Sequence, residues 1–157
     1  MSYSQNLVNQ QLAWCSTLVE HFKAESAPWL KEALLQSLTW HLQVAYSAFL
    51  QELAESQRLA CERSSSIVTV INAIPSGRGC PAEFEELKAL EMNDSWLSSL
   101  LARATSPAAI AIDSGVNQPH NLIAVSGVGS WNLAEAQAVL LALRQLIERN
   151  RALGQEY

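Results

Sequence analysis

The sequence predicts a mainly α fold: a four-helix bundle of the up-down type, with a small β-hairpin between its third and fourth helices. Three observations predict it. Apolar residues recur at helical spacing through long stretches toward both ends of the chain. The early connections are short, which favours antiparallel neighbours. Two short apolar runs late in the chain flank a stretch of turn residues. Of the 157 residues, 49% are hydrophobic and 16% charged, a balance that supports a buried core and argues against disorder. Residues 1–157 therefore read as a single helical domain.

The first helix is expected from about Ser4 to Glu25. Val8, Leu12, Cys15, Val19 and Phe22 form its stripe, Trp14 and Leu18 widen it, and Ser4 offers an N-cap oxygen. The chain breaks at Ser26-Ala27-Pro28, where Ser26 is the expected cap and Pro28 fits the first turn of the next helix. That second helix is expected from Ala27 to Arg63. Leu35, Leu42, Tyr46, Phe49 and Leu53 form one row, beside a second row of Leu34, Leu38, His41, Ala45, Ala48 and Glu52. Two rows are more than one neighbour can cover, so this helix is expected at the centre of the bundle.

After Ser64-Ser65-Ser66, the run Ile67 to Ile74 is open between two readings. Its β-branched composition favours a strand, and capping by serine suits a short helix. Pro75 to Pro81 reads as a loop, and a third helical region as Pro81 to about Arg103, interrupted at Asn93-Asp94-Ser95 with Asp94 as the expected cap. Ala108 to Asp113 and Asn121 to Ser126 are the hairpin strands, joined through Ser114 to His120. The final helix starts at Asn132, with Glu135 placed for a capping box and Gly154 ending the pattern.

Charge and composition exclude several function classes. The net charge is −5, whereas a phosphate backbone calls for a concentrated basic surface, which argues against nucleic acid as a partner. The one basic cluster, Arg144, Arg149 and Arg151, has Glu148 in its midst and suits the negative end of a helix dipole. No apolar run approaches the ~20 residues of a membrane span. The segment Met1 to Asn6 lacks the basic and apolar parts of a secretory signal. Three widely spaced cysteines, Cys15, Cys61 and Cys80, read as reduced thiols, which places the protein in the cytoplasm.

Few residues are placed for chemistry. His41 and Glu52 share a helix face but stand about three turns, or ~16 Å, apart, so each is expected to hydrogen-bond a neighbouring helix. The three histidines, at 21, 41 and 120, do not converge and no HExxH is present, so no metal and no cofactor is expected. The loop Ser76 to Cys80 lacks the spacing and lysine of a phosphate-binding loop, and no GxSxG occurs. Among the five tryptophans, Trp14 and Trp96 lie on apolar stripes and read as core. Trp40 points away from the apolar rows, as an interface anchor would, and Trp29 lies in the first turn of its helix.

The segments Asn9-Gln10-Gln11-Leu12, His41-Leu42-x-x-Ala45, Glu52-Leu53-Ala54, Glu86-Leu87-x-Ala89-Leu90 and Asp94-Ser95-Trp96-Leu97 resemble an uncharacterised family of small bacterial helical proteins, a domain of unknown function. The Leu/Ala/Arg pattern of the last helix extends the resemblance over most of the chain. It implies a helical protein without an established activity, and His41, Glu52 and Trp96 match its pattern. A ribonuclease of the HEPN type needs an arginine and a histidine with four to six residues between them, and no histidine here has such an arginine before it.

The resulting expectation is a non-catalytic protein-interaction or regulatory module, self-associating or bound to a protein partner. Its candidate binding residues are Trp40, His41 and Glu52, with no catalytic residue assigned. The alternative is a small enzyme or ligand-binding protein with an interhelical pocket near His41 and Glu52.

Overall fold

The computed structural model describes residues 2–103 and 131–155, and three long helices and three short ones lie among these residues. They are α1 (Tyr3–Ala24), α2 (Pro28–Ser56), α3 (Ile67–Asn72), α4 (Ala82–Met92), α5 (Trp96–Leu101) and α6 (Leu133–Gln155). The protein is thus mainly helical, with no strand among the described residues. The expected hairpin, Ala108 to Asp113 and Asn121 to Ser126, lies outside them.

Local chemistry explains most helix limits. Ser2, not Ser4, caps α1: its hydroxyl accepts from the Gln5 amide while the Gln5 side chain accepts from the Ser2 amide. Ser4 is instead buried in the first turn, where its hydroxyl donates to Glu55 Oε1 at 2.7 Å. Ser26 does not cap α2 either. The Glu25 carboxylate accepts from the Ser26 and Ala27 amides at 2.8 and 2.9 Å, and Pro28 opens the helix.

The second helix ends at Ser56 rather than at Arg63. Arg58 takes a left-handed conformation (φ 54°), the Leu59 amide donates to the Ala54 carbonyl at 2.9 Å, and the Arg58 amide to that of Glu55 at 3.0 Å. This is a Schellman ending with arginine where glycine is usual, held by the burial of Leu59. The open reading of Ile67 to Ile74 resolves to a helix. Ser66 caps α3, and Glu91 on α4 accepts from the Ser66 hydroxyl, the Ile67 amide and the Tyr46 hydroxyl at 2.7–2.8 Å. One carboxylate thereby ties α3 to α2 and α4.

The expected third helix is two helices. Asn93 is extended, and Ser95 rather than Asp94 caps α5, its hydroxyl accepting from the Leu97 and Ser98 amides at 3.1 and 3.2 Å. A fourth long helix is therefore absent from the described residues, and α4 and α5 stand where the third was expected. The last helix follows its signal: the Glu135 amide donates to Asn132 Oδ1, and the Asn132 amide to the Glu135 carboxylate, both at 2.9 Å. It runs through Gly154 to Gln155.

The three long helices run up, down and down, with α6 parallel to α2. Ser4 meets Glu55 and Gln11 meets His41, so α1 and α2 are antiparallel. Arg151 meets Asn9 and Arg144 meets Ser16, so α6 is antiparallel to α1. Between them, α2 buries Leu38, Leu42, Tyr46, Phe49 and Leu50 against Val8, Cys15 and Val19 of α1 and Leu143 and Ile147 of α6. Phe84 and Leu87 of α4 and Leu97 and Leu100 of α5 complete this core. The central place expected for the second helix follows from its two apolar rows.

Candidate functional site

The residues singled out from the sequence fall into two places. Trp40 and His41 lie together at the contact of α2 with α1. Glu52, three turns on, lies where α1 begins and where α2 and α6 end.

At the first place, His41 Nδ1–H donates to Gln11 Oε1 at 2.6 Å, which leaves Nε2 as the ring's acceptor. Two indoles meet that ring edge-on, Trp14 at 5.3 Å and Trp40 at 4.8 Å between centroids. Trp14 is 43% exposed and Trp40 47%. Trp40 is thus outward-facing as expected. Trp14 is not the core residue its stripe suggested, because α1 buries Val8, Gln11, Cys15 and Val19 and turns Trp14 to the flank. Trp96 does pack against the core.

The surroundings of this cluster are unusual in charge. Neither residues 2–19, covering most of α1, nor residues 33–51, covering most of α2, contain any Asp, Glu, Lys or Arg. The exposed positions of these two stretches are Gln, Asn, Ser, Thr and Ala residues with Tyr3 and the two tryptophans. Burial holds the His41 pKa below its ordinary value of 6.5, so the ring is neutral at pH 7. A depressed histidine pKa means that the unfolded chain binds the proton more tightly. The stabilisation is therefore complete above about pH 6.5 and is lost as pH falls through that value toward the folded pKa. The melting temperature is expected to fall between pH 7.5 and 5.5, and less steeply for His41→Gln; equal slopes in parent and variant would refute this.

At the second place, Glu52 is 7% exposed and is held by a two-pronged ion pair. Arg151 Nε donates to Oε1 and Nη2 to Oε2, each at 2.8 Å, while Nη1 donates to Asn9 Oδ1 at 2.9 Å. This fork matches a carboxylate as lysine cannot. A cavity of about 390 Å³ opens beside it, lined by Glu52, Glu55, Phe49, Leu53, Asn150 and Arg151 among others. His41 is not among the residues that line this cavity.

Cys15 is fully buried, and desolvation pushes its thiol up to about 12, far from a thiolate at neutral pH. Among the described residues, no three His, Cys, Asp or Glu side chains gather as a metal ion would require. No described helix is long and apolar enough to cross a membrane.

The profile of the family of unknown function DUF6586 matches residues 3–157. The chain belongs to that family. No curated protein and no solved structure matches it. The membership agrees with the resemblance read from the short motifs and brings no activity with it.

Sequence reasoning missed four residues of these sites. Gln11 carried a signal, being a polar residue on the apolar stripe of α1 between Val8 and Cys15. Arg151 was read only as a cation at a helix end, and nothing local to Asn9 or Asn150 points to the partners they meet across the bundle.

Proposed function

We propose that the protein is a non-catalytic interaction module of the cytoplasm that self-associates through the uncharged face of α1 and α2, centred on Trp14, His41 and Trp40. The observation that supports this reading most is the pairing of two half-exposed tryptophans with a neutral histidine on a charge-free surface. Two copies of a chain with net charge −5 repel one another wherever charged faces meet. The face without charge is where they approach at least cost. A two-fold contact sets the same patch against itself, and indole rings are self-complementary through offset and edge-to-face packing. The His41–Gln11 bond holds the ring between the tryptophans and so fixes the shape of the patch in advance of contact.

Size-exclusion chromatography with light scattering tests the reading. The parent chain is expected to run as a dimer at micromolar concentration. The double variant Trp14→Ser, Trp40→Ser should run as a monomer with an unchanged circular dichroism spectrum. A monomeric parent sinks the proposal, and a variant that remains dimeric sinks this face as the contact.

A further inference from the structure

The cavity beside Glu52 stands apart from the aromatic face, and neither Trp14, His41 nor Trp40 lines it. Its volume of about 390 Å³ lies within the range of roughly 300–1,000 Å³ that small organic ligands occupy. Phe49 and Leu53 give it an apolar lining.

Its polar lining is specific in kind. Asn150 is 8% exposed, and its Nδ2–H donates to the Leu146 carbonyl at 2.8 Å. That bond fixes the amide's orientation, since the reverse would set two oxygens face to face. Oδ1 is left as a buried acceptor with no donor. Native structures rarely leave such a group unsatisfied, and a water or a ligand must supply the missing N–H or O–H.

Charge favours a cationic ligand. Glu52 is neutralised by Arg151. Glu55 is exposed, accepts one hydrogen bond, from Ser4 at 2.7 Å, and pairs with no cation among the described residues. Both α2 and α6 end at this cavity, and helix C-termini carry partial negative charge. At the opposing N-terminus of α1, the Ser2 and Gln5 amides are already engaged by the capping box. Net negative charge, an unsatisfied acceptor and an apolar wall together fit an ammonium group attached to a short hydrocarbon or aromatic body.

We infer that the cavity formed by the start of α1 and the ends of α2 and α6 binds a small primary amine in its protonated form. The ammonium is shared between Asn150 and Glu55, and the apolar body lies on Phe49 and Leu53.

The test uses the full chain and 2-phenylethylamine as the probe, with 2-phenylethanol as its uncharged isostere, followed by protein-observed NMR at pH 7. The amine should shift resonances of Phe49, Leu53 and Asn150, and the alcohol should bind about tenfold more weakly or less, as expected for losing a charge-assisted hydrogen bond. Glu55→Gln, at an exposed position, should weaken the amine about tenfold while leaving the alcohol unchanged. Asn150→Ala should weaken both probes, because each carries a donor. No shift with the amine at millimolar concentration overturns the inference. So does an alcohol that binds as tightly as the amine, an unaltered amine affinity in Glu55→Gln, or shifts confined to residues outside this cavity.

Discussion

Replacing Trp131 by alanine is expected to lower the free energy of unfolding by about 4 kcal/mol, the loss typical of deleting a buried large aromatic. Trp131 is 5% exposed and sits immediately before α6. Its Nε1–H donates to Thr39 Oγ1 at 2.8 Å, in the interior. The Thr39 hydroxyl in turn donates to the Leu35 carbonyl at 2.8 Å, so a buried chain of hydrogen bonds joins the start of α6 to the middle of α2. The Arg103 guanidinium lies over the indole at 4.3 Å, where ring and cation attract. Alanine removes the burial, the donor and the stacking surface at once. Phenylalanine keeps most of the burial and removes only the donor. Because Thr39 retains its own acceptor, Trp131→Phe should cost about 1 kcal/mol. Urea unfolding followed by circular dichroism measures both, and a Trp131→Ala loss no larger than that of Trp131→Phe would show that packing at this position contributes little.

Breaking the Glu52–Arg151 pair gives the second large effect. Arg151→Met leaves the Glu52 carboxylate in a site only 7% exposed without its two donors. The expected loss is about 3 kcal/mol, at the low end for an orphaned buried charge because a quarter of the Arg151 side chain is in water. The double variant Glu52→Leu, Arg151→Met removes the orphan. It should recover most of the loss, since desolvating two ions offsets much of the attraction between them. A double variant as unstable as the single one would mean that the pair does more than neutralise buried charge, and a single variant as stable as the parent would show that water from the adjacent cavity solvates Glu52 fully. The cycle matters for the cavity as well, because Glu52 and Arg151 form part of its wall.

What the sequence alone determined is what neighbouring residues decide among themselves. The capping box Asn132–Glu135 and the helical periodicity of α1, α2 and α6 depend on groups within about four positions of each other, and each is present in the structure. The central position of α2 was legible for a related reason, since two apolar rows on one helix need more than one neighbour. Where two caps competed locally, the sequence could not choose. Ser2 over Ser4 and Ser95 over Asp94 are settled by which side-chain oxygen the packed chain aims at the free amides, and Ser4 is drawn away by Glu55 on another helix. The early end of α2 at an arginine in the left-handed region carries no glycine signal, because burial of Leu59 decides it. The outward turn of Trp14 was likewise hidden: its stripe is wider than the surface α2 and α6 cover, and only their placement selects the buried part. Only the tertiary structure decided the partners of the candidate residues. His41 and Gln11 lie 30 residues apart, Trp131 and Thr39 lie 92 apart, and Glu52 and Arg151 lie 99 apart. Such pairs form because packing of the apolar faces brings distant helices into register, and that register is a property of the whole core rather than of any segment within it.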